Sequence, residues 1–134
     1  ILTHILPAIA FVKSAELTYP ASRQTPIGAK LTLSDAKGTA LTADFDWREK
    51  GDEKWHMMLA LGDGRSARLF KGGSALSIDG KTVVEAPSEE YQRIYRRFAE
   101  LLDTRRSDVN PAPLRIVADA MLLGRRLTTD AFNW

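Results

Sequence analysis

Residues 55–85 read WHMMLALGDGRSARLFKGGSALSIDGKTVVE, four short runs separated by Gly62-Asp63-Gly64, Gly72-Gly73 and Asp79-Gly80. Glycine supplies the positive φ that tight hairpin turns demand, so the stretch predicts strands over 55–61, 65–71, 74–78 and 81–85 joined as an antiparallel meander. The first run, Trp55 to Leu61, is almost wholly apolar, and a strand apolar on both faces is one covered on both faces. Upstream, Phe11 to Tyr19 reads as a strand closed by Pro20, and Ile27 to Leu33 as another ending in the 34–38 turn Ser-Asp-Ala-Lys-Gly. Leu41, Ala43, Phe45 and Trp47 alternate with Thr42, Asp44, Asp46 and Arg48, the period of a half-buried strand.

Beyond Pro87 the period changes to three and four. Tyr91, Ile94, Tyr95, Phe98, Leu101 and Leu102 form one face of a helix, with Ser88 placed to cap it and Glu89 and Glu90 suited to its positive start. Asn110-Pro111 opens a second helix carrying Leu114, Val117, Ala118, Met121 and Leu122 as far as Gly124. The tail, 127–134, is expected to return as an edge strand or to lie along the sheet. The pattern predicts an α+β domain: an open, largely antiparallel mixed sheet of about six or more strands with helices on one face. The face opposite the helices then needs a cover of its own, which predicts a homo-oligomer formed through the open sheet. At the other end of the chain, Ile1, Leu2, Ile5 and Leu6 have helical spacing stopped by Pro7, and no residue precedes Ile1 to cap the helix. The expectation is a helix whose start was removed, that is, one domain cut from a longer protein.

Composition removes several classes of function. The chain has no cysteine and only His4 and His56, which leaves no thiolate chemistry and no His-rich metal site and suits a reducing, cytoplasmic setting. Nineteen Lys and Arg stand against seventeen Asp and Glu, and the pairs Arg96-Arg97, Arg105-Arg106 and Arg125-Arg126 are spread along the chain, a solvated surface instead of a nucleic-acid stripe. No apolar run approaches the roughly 20 residues that span a bilayer, so no membrane partner is expected.

Gly62-Asp63-Gly64-Arg65-Ser66-Ala67 spells the dinucleotide pattern G-x-G-x-x-A, but that fingerprint needs a helix to begin there, and Arg65 to Lys71 alternates as a strand. Lys71-Gly72-Gly73-Ser74 is too short for a phosphate loop. No residue of the chain is therefore assigned to a cofactor, a metal or a catalytic role. Asp44 and Asp46 point the same way from one strand, as solvated side chains commonly do, and nothing signals the burial that would raise one pKa for acid–base work. His56, between apolar neighbours, reads as a structural histidine, and Trp47, in register with Phe45, as core or interface. Trp55 follows a charged loop at the start of an apolar strand, where an indole can serve as core or present its flat face to the C–H face of a sugar.

Six segments carry a resemblance. They are Ile-Leu-Thr-His-Ile-Leu-Pro at 1–7, Tyr-Pro and Arg-Gln-Thr-Pro-Ile within 19–27, Phe-Asp-Trp-Arg at 45–48, and Gly-Gly-Ser-Ala-Leu-Ser-Ile-Asp-Gly at 72–80. Tyr-Arg-Arg-Phe-Ala-Glu-Leu-Leu at 95–102 and the run from Arg106 to Ala120 complete them. Over nearly its whole length the chain resembles the C-terminal domain of bacterial D-galactose and L-arabinose 1-dehydrogenases, within the glucose–fructose oxidoreductase and inositol dehydrogenase family.

The resemblance implies that residues 1–134 form a single C-terminal substrate and oligomerisation domain, truncated at its N-terminus, with a Rossmann domain missing. The parent would bind NAD or NADP and oxidise an aldose to its lactone with the help of a lysine in the missing domain. An Asp and an Asn at the missing helix start would face the sugar. The piece alone would be folded but inactive. Among the family's sugar contacts, Trp55 matches the tryptophan that opens the corresponding strand. Met58 is a second candidate, although it shares a face with His56 and not with Trp55 if the strand is regular. Two rivals are a non-catalytic sugar sensor or co-regulator on the same scaffold and an independent module whose open sheet binds a partner protein.

Overall fold

A computed structural model of the chain describes every residue except Glu53, Ser88 and Trp134. The elements in chain order are α1 (Leu2–Ile5), β1 (Ala10–Pro20), β2 (Gly28–Asp35), β3 (Ala40–Asp46), β4 (His56–Ala60), β5 (Ser66–Phe70), a 3-10 turn (Lys71–Gly73), β6 (Ala75–Ile78), β7 (Lys81–Glu85), α2 (Glu90–Thr104), α3 (Ala112–Leu123) and β8 (Arg125–Thr129). The predicted α+β class holds, as does the largely antiparallel, mixed character of the strand pairing. The single open sheet does not: the strands form two sheets of four, in the orders β3-β2-β1-β8 and β4-β5-β6-β7. The chain divides accordingly into two units, Ile1–Glu49 with Val109–Trp134, and Lys50–Asp108.

The first unit holds the larger side chains of the buried core. Val12, Ala15, Leu31 and Leu33 project from β1 and β2, and Ala120 of α3 packs on them, with Leu6, Leu41, Ala43 and Ile116 at the margin. A shift of register between Val12 and Ser14 puts a bulge at Lys13, so Val12 and Ala15 both reach this core although three positions apart. The C-terminal strand begins earlier than expected, directly after α3, and runs parallel to β1 with Glu16 opposite Arg125 and Pro20 opposite Thr129. Its register stops at Glu16, and farther along β1 Arg115 of α3 donates through Nη2 to the Ala10 carbonyl at 2.8 Å and lies 4.7 Å from the Phe11 ring centroid. Asp35 closes the hairpin between β2 and β3, its Oδ1 accepting the backbone N–H groups of Lys37 and Thr39 at 2.8 Å each. The Thr39 N–H is the main reason its carboxyl is held below the usual range.

In the second unit the turns are those the glycines predict. Asp79 and Gly80 both take positive φ, 47° and 80°, the pair of values that a two-residue hairpin of matching twist requires. Within the chain the two faces of the run from Trp55 to Leu61 differ. Trp55, Met57, Leu59 and Leu61 are half-buried, whereas His56, Met58 and Ala60 are exposed at the margin of the sheet, with Arg68 and Ser66 of β5 across from the last two. Helix α2 ends at Arg105 in the left-handed conformation, and the cap assigned to Ser88 lies outside the described residues. The stripe of Tyr91, Ile94, Tyr95, Phe98 and Leu102 is exposed, so this helix does not serve as the cover expected of it.

The junction of α3 and β8 is the tightest point. A Cβ at Gly124 would lie 2.4 Å from the Ala120 carbonyl oxygen and 2.9 Å from Cγ and Cδ1 of Leu17. Its φ of −69° suits any residue, so the need for glycine is one of space. Gly124→Ala is expected to destabilise the protein by about 1–3 kcal/mol, the usual cost of overpacking, and urea unfolding measures it; an unchanged midpoint would show that helix and strand separate freely.

Candidate functional site

The two sugar-contact candidates sit on opposite faces of β4. Trp55, immediately before the strand, is half-buried on the side of Met57 and Leu59. Met58 is 62% exposed on the other side, beside His56 and across from Arg68 on β5. Arg68 in turn lies 5.1 Å from the centroid of the Phe70 ring. The structure therefore does not bring Trp55 and Met58 together, as strand alternation had implied.

The glycine segments do not fit a dinucleotide. Residues 62–65 form a hairpin loop in which Gly64 donates to the Leu61 carbonyl and Leu61 to the Arg65 carbonyl, and strand β5 follows where a helix would have to start. The carboxylate of Asp63 holds the Arg65 guanidinium at 2.7 Å. In the second glycine segment the Lys71 ammonium is paired with Glu85, which occupies the charge that a phosphate would need. Among the described residues no group of three or more His, Asp or Glu side chains is placed to hold a metal ion, and no helix is long and apolar enough to cross a membrane.

Two concavities lie in the first unit, and neither includes Trp55 or Met58. The larger, about 670 Å³, is a polar saddle over Lys13, Glu16, Lys30, Thr32, Asp44 and Arg125. Four of its five charges are paired, Lys30 with Asp44 at 3.6 Å and Arg125 with Glu16. The smaller, about 230 Å³, is bounded by Arg23, Thr25, Pro26, Trp47 and Phe132. Trp47 is 55% exposed, with its ring stacked on Phe45 at 5.9 Å, and so is not core. The sequence offered Trp47 as the one visible signal of this second hollow; the pairing of Ser22 with Phe132, 110 positions away, leaves no local pattern.

Of the paired carboxylates, Asp44 is a solvated partner of Lys30, and Asp46 is held by Arg48, which donates from its backbone N–H and Nε at 2.9 Å and from Nη2 at 2.7 Å. The side-chain bonds from Arg48 bring the Asp46 carboxyl down to about 2. A carboxylate stabilised in its charged form is a poor proton donor or acceptor near neutrality, so Asp46 is not tuned for acid–base work. The sign is that of a depressed acid: the ion pair is present from neutral pH downward and is lost only as pH falls through about 2. Carbon-detected titration should find Asp46 ionised at pH 3, and Arg48→Met should return it toward the ordinary range near 3.8; an Asp46 that already titrates normally would remove the clamp.

No protein-family model matches the chain. Galactose 1-dehydrogenase of Pseudomonas fluorescens is 41% identical to it over 132 residues, which cover 98% of this chain and 43% of that protein. The crystal structure of D-galactose-1-dehydrogenase from Rhizobium etli superimposes with a TM-score of 0.92 at 43% identity, over 98% of this chain and 42% of that one. The chain thus spans about two-fifths of the length of the relatives it matches. Nearly every residue has a counterpart in a galactose 1-dehydrogenase, and the resemblance to the sugar 1-dehydrogenases read from the six segments is borne out in both sequence and fold.

Proposed function

We propose that the chain is the C-terminal substrate and oligomerisation domain of an NAD(P)-dependent aldose 1-dehydrogenase that converts galactose or arabinose to the lactone in the cytoplasm. The observation that carries this reading is the match of 98% of the chain, at 41% and 43% identity, to galactose 1-dehydrogenases more than twice its length. In such a reaction C1 of the sugar loses a hydride and its hydroxyl loses a proton, a nicotinamide supplying the hydride acceptor. Among the described residues no glycine-rich turn opens a helix, which supports a part in holding the sugar, with the cofactor bound by the rest of the parent.

Trp55 is the residue assigned to the sugar. Its half-buried position before β4 holds the indole while leaving part of the ring available, and a flat aromatic face complements the C–H face of a pyranose. Met58, on the opposite face, drops out of the same wall. The subunit interface is assigned to the half-buried apolar face of the second sheet, where Met57, Leu59, Leu69 and Leu76 lie side by side.

In the full-length enzyme Trp55→Ala should raise the sugar KM roughly fivefold, as expected for a stacking contact of about 1 kcal/mol, and leave cofactor affinity unchanged. The unfused chain, assayed beside it, should reduce neither NAD nor NADP with either sugar. Equal loss of both ligands would make Trp55 a structural residue, and turnover by the unfused chain would overturn the division of labour. Light scattering should give a dimer or larger for the full-length protein, dissociated by Leu69→Lys; a monomeric parent would remove the interface.

A further inference from the structure

The smaller hollow of the first unit has the make-up of a ligand site. Its position is fixed by bonds at both ends of the 21–26 loop: Ala21 donates to the Thr129 carbonyl at 2.9 Å, Arg23 to the Pro20 carbonyl at 3.0 Å, and Trp47 to the Ile27 carbonyl at 3.0 Å. Ser22 Oγ joins the loop to the tail, accepting the Phe132 N–H at 3.3 Å and donating to its carbonyl at 3.4 Å. Pro20 and Pro26 stiffen the walls and Ile27, buried, forms part of the lining. A pocket bonded in this way is formed before any ligand arrives.

Charge and shape select the ligand. Arg48, Arg65, Arg93, Arg97 and Arg125 are each paired with a carboxylate, but the exposed guanidinium of Arg23 has no ion pair or hydrogen bond among the described residues. Among the described residues that line the hollow there is no Asp or Glu, and Arg23 is the one cation. A guanidinium presents a planar fork that a carboxylate meets with two parallel hydrogen bonds. The indole of Trp47, steadied by Phe45 behind it, offers a flat surface to whatever body carries that carboxylate. A volume of about 230 Å³ accepts a molecule of ring size.

We propose that this hollow binds a small monocarboxylate with a flat face, its carboxylate on Arg23 and its body on Trp47. An aromatic acid and a sugar acid share that chemistry, and the test separates them. The proposal rests on the hollow alone and not on the sugar dehydrogenase reading. In the full-length protein, with the Trp47 indole N–H signal assigned through Trp47→Phe, benzoate, D-galactonate and neutral benzamide are titrated at constant ionic strength. Saturable movement of the Trp47 signal by benzoate, by galactonate or by both is expected, the responding acid naming the source. Arg23→Met should weaken that binding at least tenfold with an otherwise unchanged amide spectrum, and Arg23→Lys, which keeps the charge without the fork, should recover part of it. The proposal is overturned if neither acid moves the signal, if Arg23→Met binds as well as the native protein, or if benzamide binds as tightly as benzoate.

Discussion

The close approach of α3 to β1 is the constraint from which the first unit follows. Ala120 and Gly124 are one helical turn apart, and the small side chain of one and the missing side chain of the other let the helix end settle on Leu17. Because the chain leaves α3 at this point, β8 starts at once and has only β1 within reach, which accounts for a parallel pair at the margin of an otherwise antiparallel sheet. Arg115, one turn and more toward the start of the same helix, ties Ala10 beyond the last residue that β8 pairs with. A helix that stood farther off could make neither contact.

The same placement governs the periphery. Once β8 lies beside β1, its end at Thr129 is next to the loop that follows Pro20, and the tail beyond it meets Ser22. The hollow containing Arg23, Trp47 and Phe132 is thus a consequence of sheet order and not of any local motif. The polar saddle arises on the same strands, from charged residues such as Lys30 and Asp44 that face each other in register between β2 and β3. Its cross-strand pairs neutralise each other on a solvated surface, where such pairs contribute little to stability.

Periodicity made the elements legible, because burial of one face imposes a period of two or of three and four on any sequence that folds this way. The glycines and Asp79 marked the turns for the same local reason. What periodicity cannot express is which strands share a sheet. The place of β8 beside β1 rests on pairings such as Glu16 with Arg125, more than a hundred positions apart, and the bulge at Lys13 preserves an inner face that strict alternation would have broken. Alternation puts Trp47 in line with Leu41, Ala43 and Phe45, but β3 lies at the end of its sheet, and there the indole is 55% exposed and stacked on Phe45. The placement of Trp55 and Met58 on opposite faces was legible, since it needs nothing beyond the pleat.

The second unit shows what its own residues do not accomplish. Its buried positions are small ones, Ala67, Ala75 and Ser77, while Met57, Leu59, Leu69 and Leu76 remain half-open and the apolar stripe of α2 faces outward. Short helices draw most of their stability from packing an apolar face and little from intrinsic propensity, and α2 has Tyr91, Ile94, Tyr95 and Phe98 on a face that nothing buries. Leaving that face in water forfeits roughly 1.5–3 kcal/mol for each large side chain that could be buried. These exposed apolar side chains belong to a chain whose relatives are more than twice as long. The carboxylates with lowered pKa, Asp35 and Asp46, are fixed in their charged forms by a turn and by an arginine clamp, whereas a proton-transfer group must be tuned toward neutrality. Both carboxylates thus serve the framework of the first unit, one closing a hairpin and the other clamping an arginine.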